Sequence, residues 1–507
     1  MQMNRRTILK LSAATAALGA AGLPALGEGI DELVIAYNVN LPSWDPTVGA
    51  SAVNPTIQGI YQSVFDQFIL QQPDLKPAPG LITEWGWNED RTRVFLKVRE
   101  GVKWHDGSPF TAEDVAWSLA RAADEKTGNP IQFIWSTLGN FQVEGNTVTA
   151  DVLRFEPTIF KWMYFLTGYV LPRAYYEKVG PEGFEAAPVG TGPYMVDKFE
   201  RNAFVRLKAN PDYWGGKPEF GTVTIKFVPD AAARVAEVES GNSHVTLEMP
   251  YEEYDRLKAA GLSGVAHPIS DIGMIFLNDV DPMLDPNVRK AAVAAIDKQA
   301  IINRLLSGYG VAIDTLETPE YDAYDPSIRT PYDEAKAREL LAASGYGPDN
   351  PVRFKIQTTK GFKPKDYEMI QAIVGLWRKV GIEAEIEVYE IAKHYELRAA
   401  DTLAPAAFYN WGNSVGDPTT STGFAMFGPS PHSVWDSEDL VNMIAPLWGE
   451  PDEAKRIAGW KAVDAYIAEN AYVIPLLQYV QPILSAPGVV VTPHASGALL
   501  PHLMKRA

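Results

Sequence analysis

Strand-like and helix-like patterns alternate along almost the whole chain, which restricts it to folds that combine a sheet with covering helices. Leu33–Tyr37 and Val223–Val228 are predicted as buried strands, because apolar residues dominate both segments. In Ile382–Val388, apolar residues alternate with glutamates, as in a strand with one solvent-exposed face. The sequence therefore predicts an α/β fold.

Aspartates mark the expected starts of several helices. Asp285 precedes a proline, a pair typical of an N-cap followed by the first helical position. Asp297 and Asp333 precede further helical patterns in the same way. Thr111, with Asp114 three residues later, is a variant of the capping box. These signals predict four helix starts independently of the hydrophobic pattern.

The chain has 507 residues and no cysteine. This length exceeds what one compact core accommodates, so at least two domains are expected. The absence of cysteine excludes disulfides, thiolate metal ligands, a cysteine nucleophile and a lipoprotein anchor. A chain of this length does not need disulfides to be stable, so an oxidising compartment stays possible.

The N-terminal segment has the features of an export signal. Asn4–Lys10 contains the twin arginines Arg5 and Arg6, and an apolar run from Leu11 to Leu23 follows. Ala25-Leu26-Gly27 supplies the small residues of a cleavage site. Residues 1–27 are therefore predicted to be a twin-arginine signal peptide. A membrane anchor is the alternative, but the apolar run is short for a span, which needs about 20 residues.

The charge of the chain argues against two classes of partner. Removing the three basic residues of 1–27 leaves 42 basic and 63 acidic residues, a net charge of −21. Such a surface repels phosphate backbones and anionic lipids. We expect neither nucleic-acid binding nor membrane insertion of the mature chain.

Enzymatic motifs are largely missing. Neither a GxxxxGK[ST] phosphate loop nor HExxH occurs, and the seven histidines have no zinc-site spacing. Lys126-Thr127-Gly128 matches one box of penicillin-interacting enzymes, but no serine has a lysine three positions later. His105 follows a strand pattern at an Asp-Gly turn and is interpreted as a structural turn residue. No catalytic residue, metal site or cofactor is predicted.

An ordered set of short words carries a resemblance to a known family. They are Pro77–Trp85 (PAPGLITEW), Arg99–Arg121, Pro188–Tyr194 (PVGTGPY), Asn210–Trp214 (NPDYW), Asp285–Asp297, Tyr332–Tyr346, Gly381–Val388 and Tyr472–Leu477 (YVIPLL). In this order, the words resemble the periplasmic solute-binding proteins that serve ABC importers of peptides, nickel, opines and some oligosaccharides, also called extracellular solute-binding protein family 5. The resemblance covers nearly the whole chain after residue 27.

The resemblance implies a periplasmic binding protein fold of two lobes, with an extra subdomain inserted in the first. Lobe I would comprise residues 28–50, 166–266 and 474–507, the inserted subdomain 51–165, and lobe II 267–473. A small-molecule ligand would be enclosed between the lobes and delivered to an ABC permease with two ATPase subunits. The resemblance implies a non-enzymatic protein of the periplasm, and we expect a monomer.

Candidate ligand contacts come from three loops. Phe408–Thr420 (FYNWGNSVGDPTT) combines aromatic and small polar residues, a composition that suits a pocket wall, and the resemblance places the family's ligand cleft there. Two further loops, Tyr37–Trp44 and Thr358–Gly361, follow predicted strands, where two-lobe α/β proteins present groups to a cleft. The predicted ligand-binding residues are Asn38, Asn40, Trp44, Thr359, Tyr409, Trp411, Asn413, Ser414 and Asp417.

The ligand class stays open between a peptide-like solute, an opine and a saccharide. In peptide-binding members, an aspartate in this loop pairs with the α-amino group of the ligand, and the alignment puts Ser414 at that position. Ordinary di- and tripeptides are therefore expected to bind poorly unless another carboxylate, such as Asp417, replaces it. Two other functions stay open: a periplasmic hydrolase or transferase, and a ligand receptor for chemotaxis or sensing.

Overall fold

A computed structural model of the chain describes residues 30–430 and 432–507. The predicted signal peptide lies outside the described residues. The strands of the described part are β1 Glu32–Tyr37, β2 Leu70–Gln71, β3 Pro77–Ala78, β4 Ile82–Trp87, β5 Arg93–Val98, β6 Leu138–Glu144, β7 Thr147–Val152, β8 Tyr194–Glu200, β9 Phe204–Ala209, β10 Thr222–Phe227, β11 Val245–Leu247, β12 Ser263–Leu277, β13 Val311–Ala312, β14 Val352–Thr358, β15 Ile382–Val388, β16 Ala406–Gly412, β17 Val473–Ser485, β18 Val489–Val490 and β19 Lys505–Arg506.

Helices separate most of the strands, so the predicted α/β fold is confirmed. They are α1 Gly49–Ala52, α2 Gln58–Val64, α3 Ala112–Ala123, α4 Gln132–Trp135, α5 Ile159–Trp162, α6 Arg173–Ala186, α7 Ala231–Glu239, α8 Tyr251–Ala259, α9 Pro286–Ala294, α10 Lys298–Leu305, α11 Glu334–Ala343, α12 Asp366–Val380, α13 Ile391–Ala399, α14 Thr422–Met426, α15 Glu438–Ile444 and α16 Glu453–Asn470.

The four predicted helix starts are confirmed. The side chains of Asp285, Asp297 and Asp333 accept hydrogen bonds from the first turns of α9, α10 and α11. Thr111 and Asp114 form a capping box at α3. Each carboxylate satisfies backbone N–H groups that have no partner inside the helix, which is why these residues mark the boundaries.

One large mixed sheet runs through the molecule, in the order β15-β14-β16-β12-β17-β11-β1-β10-β9-β8, with β13 paired to β17. The two longest strands, β12 and β17, lie at its centre and are antiparallel. Their register changes between Pro268 and Ile272, and Asp271 lies within this irregular stretch. The sheet therefore has two halves, joined by β12 and β17.

Separate hydrophobic clusters support the two halves. The largest gathers core residues of β12, β14, β16 and β17 with helices α9 to α12. A second packs around β1, β9 and β10. A third surrounds a separate four-stranded sheet, β4-β5-β7-β6, and helix α3. The residue boundaries of the lobes and of the inserted subdomain stay predictions.

The turn at Gly190 and Gly192 is structural, as the sequence indicated. A Cβ at either glycine would lie 2.0 to 2.7 Å from the carbonyl oxygen of Val64, so only glycine permits this approach. His105 bonds to the same turn: its ring lies 3.0 Å from the Gly192 carbonyl and accepts from the Gly190 N–H at 3.2 Å. His105 therefore holds a turn.

Candidate functional site

A cavity of about 450 Å³ lies beside the central strands β12 and β17. Residues from 229–234 and 248–252 form one wall, and residues 361–365 form the opposite wall. Ile269, Asp271 and residues 479–482 form the floor. The cavity thus lies where the two halves of the sheet meet and is bounded by both.

An ion pair lies at the base of the cavity. The Lys363 ammonium donates a hydrogen bond to Asp271, and the Asn410 side chain donates to the same carboxylate at 3.1 Å. Burial opposes the charge on Lys363, but Asp271 outweighs it and raises the pKa of the lysine. The ammonium also lies 5.5 Å from the ring centroid of Tyr479. Lys363 is therefore charged at neutral pH and fixed in direction.

Asp366 holds the loop that carries Lys363. Its carboxylate accepts the Thr359 hydroxyl at 2.7 Å and the N–H groups of Gly361 and Phe362 at 2.8 and 3.0 Å. Thr359 is 4 % exposed, so its role here is to cap and orient the loop. The loop follows the carboxyl end of β14, where α/β proteins present groups to ligands.

On the opposite wall, Glu248 lies just beyond the end of β11. Its backbone has a φ of 52°, in the left-handed region, and its N–H donates to the Pro482 carbonyl at 3.2 Å. The Asn38 side chain donates to the Glu248 carboxylate. Asn38 therefore orients a cavity residue from outside the cavity.

The predicted residues near Ser414 lie elsewhere. The Ser414 hydroxyl is 2.9 Å from that of Ser270, and its carbonyl accepts from Gln71 at 2.6 Å. The Asn413 side chain donates to the Asp417 carbonyl at 2.9 Å. These contacts leave Ser414 5 % exposed, in a loop packed against another segment of the protein.

Asp417 is fully buried and paired with two cations. Its Oδ1 lies 2.9 Å from Arg456, and its Oδ2 lies 2.7 Å from Lys161. Burial opposes ionisation of Asp417, but Lys161 and Arg456 outweigh it and hold its pKa well below the usual range. With its charge already compensated, this carboxylate is not available to a ligand in this arrangement.

Tyr409 and Trp411 point to the sheet face opposite Asn410, which reaches the cavity floor. Tyr409 stacks on His394 with ring centroids 4.9 Å apart. The Trp411 indole donates to the Thr420 carbonyl at 2.7 Å. The Arg398 guanidinium lies 4.8 and 5.4 Å from the two ring centroids. The predicted aromatic wall exists as a cluster, but neither ring lines the cavity.

Of the three residues predicted in the loop Tyr37–Trp44, Asn38 contacts a cavity residue, Glu248. Trp44 is 1 % exposed and packs edge-on against Phe199, so it belongs to a hydrophobic core. Asn40 is half-buried and does not line the cavity.

Sequence reasoning did not select Glu248, Asp271 or Lys363. Asp271 stands out as a single carboxylate in the otherwise apolar end of β12, which is a usable signal. Lys363 lies only two residues beyond the 358–361 loop, whose position after a strand was recognised. Nothing local distinguishes Glu248 from other exposed glutamates.

Metal ligands and membrane-spanning helices bear on the class of site. In residues 30–430 and 432–507, no cluster of three or more metal-ligating side chains occurs. Within the same ranges, every helix is too short or too polar to cross a bilayer.

Sequence comparison identifies the family. Residues 76–430 match the profile of the bacterial extracellular solute-binding proteins, family 5. The dipeptide-binding protein of Escherichia coli is 27 % identical over 431 residues, covering 78 % of this chain and 79 % of the relative. A glutathione-binding protein of the same species is 26 % identical over 497 residues, covering 94 % of this chain and 93 % of the relative.

A solved structure supports the fold. HbpA2 from Haemophilus parasuis superposes with a TM-score of 0.82 at 22 % identity, covering 94 % of this chain and all of that chain. The fold is therefore the two-lobe periplasmic binding protein fold. The chain belongs to the extracellular solute-binding protein family 5, and its function is to capture a small solute for an ABC importer.

Proposed function

We propose that the protein binds a peptide-like solute in the cavity between residues 229–252 and residues 361–365. The observation that carries this proposal is the cavity itself, which residues from both halves of the sheet line, with Glu248 on one wall and Lys363 on the other. Its volume of about 450 Å³ lies within the range typical of small-molecule sites, roughly 300 to 1,000 Å³. The dipeptide and glutathione relatives favour this ligand class over an opine or a saccharide.

The location, export route and partners of the protein are proposed from the family and from the N-terminal signal. The protein acts in the periplasm as a monomer, reaches it through the twin-arginine pathway, and passes its ligand to a permease with two ATPase subunits. It binds without turnover. The boundaries implied by the resemblance, at 266/267 and 473/474, fall within β12 and at the start of β17, so these two strands are the proposed hinge. Closing of the lobes around the ligand is the proposed conformational step.

A cavity-filling substitution tests this proposal. Ala231 lines the cavity at the start of α7, whereas Ala232 is exposed and does not. We expect Ala231→Trp to weaken binding of L-alanyl-L-alanine or glutathione by about tenfold or more, and Ala232→Trp to leave it unchanged. Calorimetry measures both. Equal binding by the two variants, or no binding of either probe by the wild-type protein, contradicts the proposal.

Scattering tests the conformational step. A bound ligand that favours the closed form should reduce the radius of gyration measured by X-ray scattering. At a ligand concentration near the wild-type Kd, the same probes should reduce this radius much less in Ala231→Trp. A reduction of equal size in that variant would show that the ligand acts at another place.

A further inference from the structure

Two of the cations around the cavity form ion pairs. Lys363 is bonded to Asp271, and the Lys365 ammonium lies 3.6 Å from Glu252. The Glu248 carboxylate accepts from the Asn38 amide but has no cation within 4.0 Å in the described part of the chain. It is therefore the cavity carboxylate that can still accept a ligand's positive charge.

Arg234 is the remaining cation of the cavity, and four of its five N–H hydrogens are already committed. Its guanidinium donates to the backbone carbonyls of Val228, Pro229, Leu247 and Glu248. These bonds hold the backbone that follows β10 against the end of β11, and Glu248 lies directly beyond that end. Arg234 holds that backbone in place rather than forming an ion pair with the Glu248 carboxylate.

Lys363 lies on the wall opposite Glu248. After burial and Asp271, the negative charge of Glu248 is a further influence on the Lys363 pKa, so the two groups are within electrostatic range. Tyr479, whose ring lies 5.5 Å from the Lys363 ammonium, also lines the cavity, is 3 % exposed, and has a hydroxyl without a hydrogen-bond partner among the described residues. The cavity thus presents an acceptor, a donor cation and an unused hydroxyl.

We infer that Glu248 and Lys363 bind the two ends of a zwitterionic solute, with its ammonium at Glu248 and its carboxylate at Lys363. This inference rests on the proposed function and names the residues that decide specificity. Charges then alternate from Glu248 through the ligand to Lys363 and Asp271, so each charge has an opposite neighbour. The Tyr479 hydroxyl is free to bond a polar group in the middle of the ligand.

The physical basis is the cost of burying an unpaired charge. When the lobes close, Glu248 loses water and needs a cation in its place. A solute whose amino group is acetylated leaves that carboxylate without one. A solute whose carboxylate is an amide loses the attraction of Lys363. Both modified solutes should therefore bind more weakly than the zwitterion, and each loss should depend on a different residue.

Calorimetry with three probes tests the inference: L-alanyl-L-alanine, its N-acetyl derivative and its C-terminal amide. In the wild-type protein, we expect each modified probe to bind about tenfold or more weakly than the dipeptide. In Glu248→Gln, the dipeptide and its N-acetyl derivative should bind within about threefold of each other. Glu239→Gln is the matched control, since Glu239 pairs with Arg256 away from the cavity.

Lys363 is tested by a pair of variants, because losing its charge also leaves Asp271 without a cation. Lys363→Met should abolish the preference for the free carboxylate, and Lys363→Arg should retain it. Thermal unfolding without ligand verifies that both variants are folded. If Lys363→Met and Lys363→Arg differ in thermal stability but have the same probe preference, the proposed role of Lys363 is wrong.

The outcomes separate this inference from the proposed function. Equal binding of the dipeptide and its N-acetyl derivative by the wild-type protein overturns the inference, as does an unchanged preference in Glu248→Gln. If Ala231→Trp still weakens binding in that case, the cavity proposal stands alone. If the wild-type protein does not bind L-alanyl-L-alanine at millimolar concentrations, the inference is wrong, and glutathione binding then decides the cavity proposal.

Discussion

The Lys161 ammonium lies 2.7 Å from the Oδ2 of Asp417, and this ion pair joins α5 to the loop that follows β16. Val415, in the same loop, packs into the hydrophobic cluster of the four-stranded sheet. Gln71 donates to the Ser414 carbonyl from the same side at 2.6 Å. The loop predicted to bind the ligand therefore belongs to the proposed lobe II and packs against the proposed inserted subdomain.

Asp417→Asn should destabilise the protein strongly. The substitution removes the buried carboxylate from the Arg456 side chain, which is 1 % exposed and then keeps only the exposed Glu453 as a partner. Breaking such a buried pair costs about 3 to 5 kcal/mol in the free energy of unfolding, which urea denaturation at pH 7 measures. Asp212→Asn, at an exposed pair with Lys103, should cost at most about 1 kcal/mol. Similar losses in both variants would contradict the structural role of Asp417.

The same residue predicts an acid dependence. The pKa of Asp417 is lowered in the folded protein, so its ionised form stabilises the fold at pH values above the ordinary aspartate pKa, about 3.9. This stabilisation is lost as the pH falls below that value toward the folded pKa. The stability difference between wild type and Asp417→Asn should therefore be constant from pH 7 to about 5 and shrink in more acidic solution.

Lys161→Met should change ligand affinity more than stability. If the lobes separate without ligand, the bond between Lys161 and Asp417 forms on closure, and its loss favours the open form. We expect the affinity for the ligand to fall by about three- to tenfold, as for a partly exposed ion pair. Lys103→Met, at a pair outside this loop, is the control. An unchanged affinity would mean that this contact persists in the open form.

Glu317 and Asp464 predict a second pH effect. The Thr422 hydroxyl lies 2.9 Å from a carboxylate oxygen of each residue, and it can donate its one hydrogen to only one of them. The other carboxyl must carry a proton to make its bond. Burial raises the pKa of Glu317 from 4.5 to about 7, and it raises the pKa of Asp464 as well.

Stability should consequently fall as the pH rises from about 4.5 to about 7, because the folded state binds a proton that the unfolded state releases. Glu317→Gln supplies a neutral side chain that can donate to the Thr422 hydroxyl, which can then donate to Asp464, so the variant should flatten this dependence. Thermal unfolding at a series of pH values measures it. An equally steep fall in the variant would show that other groups cause the effect.

The aromatic hypothesis for Trp411 has its own test. If this ring contacts the ligand, Trp411→Ala should weaken binding by roughly 2 kcal/mol or more. If the ring serves only to hold the loop through Thr420, the variant should lose stability, while its folded fraction binds as the wild type does. Calorimetry and thermal unfolding of the same preparation separate the two results.

We expect export to depend on Arg5 and Arg6. Replacing both with lysine should block the twin-arginine pathway and leave precursor in the cytoplasm. Fractionation followed by immunoblotting measures this, and normal periplasmic accumulation of the double variant would refute the signal. A mature N-terminus far from Glu28 would refute only the cleavage site.

Short-range patterns in the chain were sufficient to predict the local elements and the family. Period-two and helical patterns, with caps at Asp285, Asp297 and Asp333, act over a few residues, so they are readable without a structure. The ordered words identified the family for the same reason, since each is a local turn, cap or strand end.

Which polar groups meet could not be predicted from such patterns, because it depends on how distant segments pack. Glu248, Asp271 and Lys363 come from three distant segments. The sheet, with the antiparallel pair β12 and β17 at its centre, brings them to one cavity. Asp417 and Trp44 have the residue types of a binding site, yet one is neutralised by Lys161 and Arg456 and the other is packed in a core. Burial and charge compensation depend on neighbours far along the chain, so no local pattern contains them.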